Sequence, residues 1–370
     1  MPSRVLEELR DPAISRGLLA KVTALAEQAA EKLGRRAVFM EVCGTHTVAI
    51  SRAGLRSLLS DYVDLRSGPG CPVCVTDYED IDRMVAFARE PGITVGTFGD
   101  MVRVPGSLAS LEREKARGAD VRVFYSPADA VDWAAAHPEK QVVFLGVGFE
   151  TTAPTVALSV AMARAKGVKN YSVFSAHKVV PPAMRALVAD PELALDGFIL
   201  PGHVSAIIGR RAFDFIAAEY GLPAVVCGFE AVDIVDTLYR LLTQVLQGEA
   251  RVENSYTRVV REEGNRRAQA VMAEVFAIGD ASWRGIGVIP GSGMYLKDEL
   301  ADFDAARRFT LEVPPPRIPK GCLCGALMKG LLTPRDCRLF GTACTPTHPV
   351  GPCMVSSEGA CAAYYQYEQR

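Results

Sequence analysis

The cysteines of this chain are concentrated in one short segment towards its carboxyl end. Six of the ten lie there, at positions Cys322, Cys324, Cys337, Cys344, Cys353 and Cys361. The segment around them is rich in Gly, Pro and Thr and shows little helical or strand periodicity. Such a segment cannot bury enough apolar surface to order itself. We therefore expect a bound metal centre to hold this tail together.

Length and composition limit the classes of protein to which the chain can belong. At 370 residues it is long enough for two or three domains. The formal net charge of -2 gives no reason to expect a nucleic acid or an anionic membrane as a partner. No signal-peptide core or membrane-spanning apolar stretch is visible, which predicts a cytoplasmic protein. In a reducing cytosol, clustered cysteines indicate metal binding or redox chemistry rather than a disulfide framework.

Short β-branched runs alternate with amphipathic segments through most of the sequence. The predicted strands cover 37–42, 93–98, 121–125, 141–147, 171–176, 197–201 and 224–229. This alternation predicts an α/β fold with parallel sheets covered by helices. The number of strands suits two smaller domains, 1–124 and 125–262. A C-terminal region, 263–370, follows them, and a proline run at 314–320 separates its body from the cysteine-rich tail of about 320–370.

Cys71 and Cys74 form a C-x-x-C pair that is followed by Thr76. Thr76 and Glu79 have the spacing of a capping box, so a helix is predicted to begin there, with both sulfurs near its positive end. That position lowers thiol pKa values and favours redox or iron-binding chemistry. Half of a structural zinc site is the alternative, but the sequence has no second C-x-x-C pair to complete it.

Polar and reactive residues follow the ends of several predicted strands. Ligands of α/β sheets collect beyond the carboxyl ends of the strands. A shared cleft is therefore expected around Cys43, His46, Glu150, His177 and His203. Cys43 and His46 are three residues apart on a Gly-containing turn, so they could co-ligate a metal, or the imidazole could deprotonate the thiol for acyl transfer. A purely structural turn is the third interpretation.

The six tail cysteines exceed the four that a cubane iron–sulfur cluster or a tetrahedral zinc ion would take. Two thiols left over beside a cluster would suit a pair that forms a disulfide and exchanges electrons with it. Zinc is redox-inert and gives such a pair no use. The sequence therefore favours an iron–sulfur cluster, without deciding which four cysteines hold it.

Several longer motifs stand in order along the chain. They are C-G-T-H-T (43–47), G-P-G-C-P-V-C (68–74), G-F-E-T-T-A-P (148–154), A-H-K-V-V-P-P-A-M (176–184), L-P-G-H-V-S (200–205) and P-G-S-G-M-Y-L (290–296). Together with the six-cysteine tail they resemble the HypD family, the iron–sulfur maturation factors of [NiFe]-hydrogenases. The resemblance covers nearly the whole chain after about residue 35.

The resemblance implies two similar parallel-sheet α/β domains plus a small cysteine-rich iron–sulfur region. It also implies a scaffold on which an Fe(II) receives cyanide and carbonyl ligands. A HypC-type small chaperone would share this work, and a HypE-type protein would deliver the cyanide. Carried onto this sequence, Cys43, Cys71 and Cys74 become the residues that hold or handle the iron.

The cysteine pattern of the tail is also similar to that of ferredoxin–thioredoxin reductase. In that enzyme the first cysteine of a C-x-C pair binds the cluster and the second belongs to a redox disulfide. By that analogy the ligands of a [4Fe–4S] cluster are Cys322, Cys337, Cys344 and Cys361. Cys324 and Cys353 become the pair that exchanges electrons. Cluster, thiol pair and C-x-x-C would then form a thiol relay towards the iron.

These observations predict a redox-competent scaffold for metallocentre assembly rather than a stand-alone turnover enzyme. In this role His46, His177 and His203 would line the cleft as proton donors or as partners of the iron ligands. The alternative is a cluster-dependent thiol–disulfide oxidoreductase of the ferredoxin–thioredoxin reductase type, which has no evident use for Cys43. A cluster-containing sensor is the third hypothesis and needs none of the cleft histidines. Cys227, alone in an apolar run, is expected in the core.

Overall fold

The structure is a computed structural model and describes residues 12–368. Within these residues the chain forms two parallel sheets, one antiparallel hairpin and a set of covering helices, with the cysteine-rich region after them. The α/β class expected from the alternation of strands and helices is confirmed. The antiparallel hairpin is the one element of sheet that departs from the parallel pattern in this part of the chain.

The first sheet has five parallel strands. They are β1 (Ala37–Glu41), β2 (Val63–Ser67), β7 (Gly197–Pro201), β8 (Ala224–Cys227) and β9 (Val252–Asn254), in the spatial order β2-β1-β7-β8-β9. Every residue of β1 and β7 is buried, as expected for central strands that are covered on both faces. Because all five strands run in the same direction, their carboxyl ends meet at one edge.

The second sheet has four parallel strands. They are β3 (Ile93–Thr97), β4 (Asp120–Val123), β5 (Gln141–Gly146) and β6 (Tyr171–Ser175), in the order β4-β3-β5-β6. The chain leaves the first sheet after β2, builds the second sheet, and returns with β7. A boundary at residue 125 would cut the second sheet, since β3 pairs with β5 across it. Local sequence patterns indicate where the strands are. The pairing of the strands depends instead on contacts between residues that are far apart in the sequence.

Sixteen helices, counted within residues 12–368, connect and cover these sheets. They are α1 (Pro12–Leu33), α2 (Gly44–Arg52), α3 (Leu55–Leu58), α4 (Pro72–Val75), α5 (Tyr78–Arg89), α6 (Leu111–Ala116), α7 (Pro127–Ala136), α8 (Ala153–Lys166), α9 (Val180–Val188), α10 (Gly202–Ile208), α11 (Phe215–Tyr220), α12 (Ala231–Gln247), α13 (Arg266–Val275), α14 (Ala305–Arg308), α15 (Cys324–Met328) and α16 (Ala360–Tyr367). Short 3-10 helices occur at Gly99–Arg103, Arg210–Phe213, Asp298–Phe303, Pro334–Asp336 and Pro352–Met354.

Helices α1 and α12 pack together against the five-stranded sheet. The apolar residues of α12 recur every three or four positions, as in Ile234, Leu238 and Leu241, and all three are fully buried. A capping box begins α12, and Gly248 in the left-handed conformation (φ 69°) ends it. Cys227 is fully buried in the same cluster, which confirms it as a core residue.

The antiparallel hairpin joins the second sheet to the rest of the molecule. Its strands are β10 (Phe276–Trp283) and β11 (Gly287–Leu296). Trp283 is buried at the end of β10, stacks on Phe149 with ring centroids 5.9 Å apart, and donates from its indole N–H to the Ser292 hydroxyl at 2.8 Å. The hairpin turn therefore has a fixed place beside the loop that follows β5.

Candidate thiol and metal site

Four loops meet at the carboxyl edge of the five-stranded sheet. Cys43 follows β1, Cys71 follows β2, His203 follows β7 and Phe229 follows β8. Gly44 N–H donates to the carbonyl of Gly70 at 2.9 Å, so the first two loops are bonded to each other. This is the edge at which α/β sheets bind ligands.

The Cys43 thiol is buried at the amino end of α2. Burial raises the pKa of Cys43 to about 12, the nearby carboxylate of Glu358 adds to this, and the backbone N–H groups of His46 and Thr45 oppose it. A thiol in such a place stays protonated at neutral pH in the absence of a compensating cation. A bound metal ion would replace the proton and leave a thiolate facing those N–H groups.

A buried carboxylate fixes the turn that carries Cys43. Glu41 accepts from the backbone N–H of Cys43 at 3.0 Å and from the hydroxyl of Thr47. Burial raises the pKa of Glu41 to about 7, although Arg56 lies 3.9 Å from the carboxylate and acts in the opposite direction. The turn is packed so closely that a Cβ on Gly70 would lie 2.2 Å from the backbone nitrogen of Cys43.

Cys71 is the N-cap of the four-residue helix α4, and its Sγ accepts from the backbone N–H of Cys74 at 3.2 Å. The expected helix start at Thr76 is wrong. Thr76 ends α4 and donates to the carbonyl of Pro72 at 2.8 Å, whereas α5 is capped by Asp77. The reason is that Pro72 occupies the first turn, where its missing N–H costs nothing, so the chain becomes helical earlier. Burial raises the pKa of Cys74 well above its ordinary value.

The cysteine-rich tail is docked on this edge of the sheet by its acidic residues. Thr45 donates to Glu358 at 2.6 Å, and Ser51 donates to Glu368 at 2.6 Å. Arg56 Nε lies 3.2 Å from a carboxylate oxygen of Glu368. A Cβ on Gly44 would lie 2.5 Å from the Cβ of Glu358. The tail therefore covers the Cys43 loop directly.

Five of the six tail sulfurs share one neighbourhood. The Sγ atoms of Cys322 and Cys324 are 3.2 Å apart. Burial is the main cause of a strongly raised pKa at Cys361, and the charges of four neighbouring thiols act in the same direction. Those four are Cys324, Cys344, Cys322 and Cys337. Gly351 leaves room for this group, because a Cβ there would meet the sulfurs of Cys324 and Cys322 at 2.6 and 2.8 Å.

The sixth tail sulfur, that of Cys353, connects this group to the C-x-x-C pair. Hydrogen bonds with Cys324 and Cys74 lower the pKa of Cys353, even though the residue is fully buried. Cys74 in turn interacts with the sulfur of Cys71. A cavity of about 10 Å³ lies between the tail and the sheet edge and is lined in part by Cys71, Cys74, Cys353 and Glu358.

The chemistry of these donors fits an iron–sulfur cluster better than a hard metal ion, because thiols prefer soft metals and dominate the group. Within residues 12–368, no three His, Cys, Asp or Glu side chains are already arranged as a metal site. The tail thiols are hydrogen-bonded to each other instead, as at Cys322 and Cys324. Their clustering is compatible with an iron–sulfur cluster that would replace these thiol–thiol contacts.

His46 does not point its ring at Cys43 as a base would. The ring Nε2 lies 2.9 Å from the carbonyl of Gly228, which can only accept, so Nε2 carries the proton. Burial lowers the pKa of His46 to about 4, and its Nδ1 is buried without a partner. The rings of His46 and His203 both stack on Phe229, with centroids 4.7 and 3.8 Å from it. The backbone of His46, rather than its imidazole, approaches the thiol.

His177 and Glu150 follow strands of the second sheet, whereas Cys43, His46 and His203 follow strands of the first. His177 follows β6, and its Nδ1 lies 3.0 Å from the Ser175 hydroxyl. Burial lowers the pKa of His177 to about 3. Lys178, also buried, pairs with Asp80 at 3.2 Å. Residues next to both sets, Phe149 after β5 and the Cys71–Cys74 pair after β2, belong to one buried apolar cluster, and the shared cleft stays a prediction.

The buried carboxyl of Glu150 makes the free energy of unfolding depend on pH. One carboxylate oxygen accepts from Val180 N–H at 3.0 Å and the other is buried without a partner. Burial raises the pKa of Glu150 from 4.5 to about 7. The folded state therefore keeps the Glu150 proton at pH values where the unfolded state has lost it. The protonated carboxyl contributes fully to the free energy of unfolding below pH 4.5, and this contribution is lost as the pH rises through 7.

We expect Glu150→Gln to gain about 2 kcal/mol of unfolding free energy relative to the wild type between about pH 5 and pH 8, because glutamine cannot ionise. Urea denaturation at both pH values measures this difference. The titration of Glu41 and of the buried histidines is common to both proteins and cancels. Stability profiles that run parallel from pH 5 to pH 8 would contradict the assignment.

Glu358 is a site residue that the motifs did not identify. It is the only acidic residue between Cys353 and Cys361, and that isolated position was the one available signal. Its place against Gly44 and Thr45 depends on a contact between residues more than 300 positions apart, which no local pattern encodes.

Among residues 12–368, no helix is long and apolar enough to cross a membrane.

Comparison with known proteins identifies the relatives of this chain. Residues 16–368 match the model of the HypD family, described as "Hydrogenase formation hypA family". The chain is 46% identical over 365 residues to the "Hydrogenase maturation factor HypD" of Rhodobacter capsulatus, with 97% of each chain covered. The proteins of the same name from Azotobacter vinelandii and Escherichia coli K12 are similar to it as well. The first is 44% identical, covering 98% of this chain and 97% of the relative. The second is 43% identical, with 99% of each covered. Similarity of this extent, over a chain with its thiols gathered at one sheet edge, shows that the chain belongs to the HypD family of hydrogenase maturation factors.

Proposed function

We propose that the chain is the scaffold on which the Fe(CN)₂CO group of a [NiFe]-hydrogenase is assembled, in the cytoplasm. The iron is the cargo of this scaffold rather than a resident cofactor. Cys43, Cys71 and Cys74 hold or handle it. A HypC-type chaperone shares the iron, and a HypE-type protein supplies the cyanide.

The observation that carries the proposal is the row of sulfurs between the tail and the sheet edge. Cys353 lines the same small cavity as Cys71 and Cys74, and the neighbouring sulfurs of Cys324 and Cys74 lower its pKa. The same edge carries Cys43, beneath Glu358 of the tail. An iron-binding thiol and a redox-capable thiol row in one buried place support a site that receives both metal and electrons.

In the proposed relay, Cys353 is the attacking thiol because its pKa is lowered by its two neighbours. Its thiolate attacks the Cys74 sulfur of a Cys71–Cys74 disulfide. The Cys353–Cys74 bond forms and Cys71 leaves as a thiolate, which accepts a hydrogen bond from the backbone N–H of Cys74 at 3.2 Å. Cys324 then attacks Cys353, and Cys74 leaves as the second thiolate. Two electrons have moved to the C-x-x-C pair, and Cys324 and Cys353 are left as a disulfide.

The tail thiols would hold the source of those electrons. In this proposal a [4Fe–4S] cluster is bound by Cys322, Cys337, Cys344 and Cys361. When bound, such a cluster supplies electrons one at a time at low potential. The described residues contribute a site closed to water, since five of the six tail cysteines are buried and Cys322 is partly buried.

The second candidate is a thiol–disulfide oxidoreductase of the ferredoxin–thioredoxin reductase type. The contact of Cys353 with both Cys324 and Cys74 favours it equally, because a reductase would use the same thiol row. The two functions differ at Cys43, which a reductase does not need.

Replacing Cys43 tests this difference. In the wild-type protein purified without oxygen together with its HypC-type partner, we expect infrared stretches of iron-bound cyanide and carbonyl. In Cys43→Ala these bands should be absent, because the iron loses a thiolate that the pocket cannot replace. Cys227→Ala is the matched control: it removes another buried thiol, in the core, and should leave the bands unchanged.

Two results would contradict the scaffold. One is the absence of the bands from wild-type complex that contains iron. The other is their persistence in Cys43→Ala at wild-type intensity. If Cys43→Ala also reduced a partner disulfide as fast as the wild type, the oxidoreductase would be favoured.

A further inference from the structure

A buried arginine lies at the turn of the antiparallel hairpin. Arg284 follows β10 and is only 2% exposed. Its Nε donates to the carbonyl of Thr76 at 2.8 Å, and its backbone N–H donates to the carbonyl of Val75 at 2.9 Å. The guanidinium lies over the ring of Tyr78, with Cζ 3.6 Å from the ring centroid. The side chain is therefore held in place by two contacts, and its backbone by a third.

The two terminal nitrogens of Arg284 have no hydrogen-bond partner, although both are buried. Within residues 12–368, neither terminal nitrogen of this guanidinium is paired with a carboxylate. Leaving a buried charge without a counter-charge is strongly destabilising. The part-buried Arg308 shows the usual arrangement, since its terminal nitrogens donate to the carbonyl of Tyr171 at 3.2 Å and to Gln141 at 2.8 Å. Arg284 thus lacks an anion.

The hairpin turn places this unpaired cation against the C-x-C pair. Gly285, the next residue, adopts the left-handed conformation (φ 72°), and a Cβ there would lie 2.1 Å from the Cα of Gly325. Gly325 directly follows Cys324 in α15. The hydrogen bond with Cys324 is the main cause of the raised pKa of Cys322. The positive charge of Arg284 has the opposite effect and lowers this pKa. The guanidinium is therefore close enough to the two sulfurs to act on them.

We propose that Arg284 is the buried counter-charge of an anionic iron–sulfur centre that is bound in part by Cys322, the first cysteine of the C-x-C pair. The inference rests on the proposed function, because it takes the tail thiols to hold a cluster. Four thiolates around a [4Fe–4S] core give a net negative charge, and each electron that the centre gains adds one more unit. A fixed cation beside it stabilises the more reduced state and so raises the reduction potential. Arg284 is a positioning and tuning residue: it neither ligates iron nor transfers electrons.

The competing explanation is that Arg284 acts only as a structural brace, which means that it links the hairpin turn to the loop before α5 and has no role in charge. A brace would need the Nε bond to Thr76 and the contact with Tyr78, both of which the structure contains. It gives no reason for burying two further nitrogens without partners, at a cost that a lysine or a glutamine would reduce. The two explanations differ in a measurable way, because a brace contributes to stability and a counter-charge contributes to the potential.

The experiment is a redox titration of cluster-loaded protein, followed by electron paramagnetic resonance. We expect Arg284→Gln to shift the equilibrium between reduced and oxidised centre at least tenfold towards the oxidised form, which is a lowering of about 59 mV for one electron. Arg284→Lys keeps the charge and should recover at least half of the shift. Arg308→Gln, which also removes a part-buried guanidinium but one with acceptors of its own, should leave the potential unchanged.

Iron and acid-labile sulfide are measured on each variant. A wild-type potential in cluster-loaded Arg284→Gln would overturn the counter-charge while leaving the scaffold proposal intact. If Arg284→Gln loses the cluster and Arg284→Lys keeps it, the need for a positive charge is supported. If Arg284→Gln and Arg284→Lys both lose the cluster while Arg308→Gln keeps it, the proposal that Arg284 acts through its positive charge is overturned. Wild-type protein without iron and sulfide would overturn both proposals.

Discussion

Replacing Cys361 with serine is expected to abolish cluster binding. The Cys361 sulfur has those of Cys322, Cys324, Cys337 and Cys344 as electrostatic neighbours, so it belongs to the same group as the other proposed ligands. A serine hydroxyl is a hard donor and a poor substitute for a thiolate towards iron–sulfur clusters. Iron and acid-labile sulfide after anaerobic reconstitution should fall below about a tenth of the wild-type values. The tail should also become more sensitive to proteases, because a cluster would no longer link its cysteines.

Cys324→Ser is the matched control for this experiment. It removes a thiol from the same buried group, yet the proposed division of roles assigns Cys324 to the redox pair and not to the cluster. The variant should therefore keep its iron and sulfide and lose the exchange with Cys353. If Cys324→Ser lost the cluster and Cys361→Ser kept it, the assignment of ligands would have to be exchanged between these two residues.

The second large effect is expected from Gly70→Ala. The added Cβ would lie 2.2 Å from the nitrogen and 2.4 Å from the Cα of Cys43, and backbone atoms cannot turn aside as a flexible side chain can. The two loops must separate, which breaks the bond between Gly44 N–H and the Gly70 carbonyl. We expect a loss of about 3 kcal/mol or more in the free energy of unfolding.

Urea denaturation measures this loss, and Gly99→Ala is its control. A Cβ on Gly99 meets only Val123 Cγ1, at the ordinary distance of 3.8 Å, so this variant should stay within about 1 kcal/mol of the wild type. Equal stabilities of the two variants would show that the loops after β1 and β2 are not packed as described.

The fold was predictable where the signals were local. The runs at 37–42, 141–147 and 171–176 form strands β1, β5 and β6, and Cys227 is buried as its apolar neighbours indicate. The glycines of 285–296 predict a turn region, but most of this stretch forms β11, because the hairpin partner β10 supplies the pairing. Tertiary pairing overrode local preference there.

The residues of the candidate site could be selected from the sequence, but their arrangement could not. The thiols that motifs selected are brought together, as the contacts of Cys353 with Cys324 and Cys74 show. The orientation of His46 could not be predicted, because it depends on the carbonyl of Gly228 in another loop. The surroundings of Arg284 could not be predicted either, because its lack of a counter-charge becomes visible only when the burial of its side chain is known.

The docking of the tail has a consequence for the order in which the protein is made. The bond from Thr45 to Glu358 spans 313 positions of the sequence, and the bond from Ser51 to Glu368 spans 317. During synthesis the Cys43 loop therefore leaves the ribosome more than 300 residues before its cover does. Nascent or prematurely ended chains therefore have an uncovered Cys43. Only a chain that has been translated through Glu368 can make both of these bonds, so the cover over the Cys43 loop forms long after the loop itself has been synthesised.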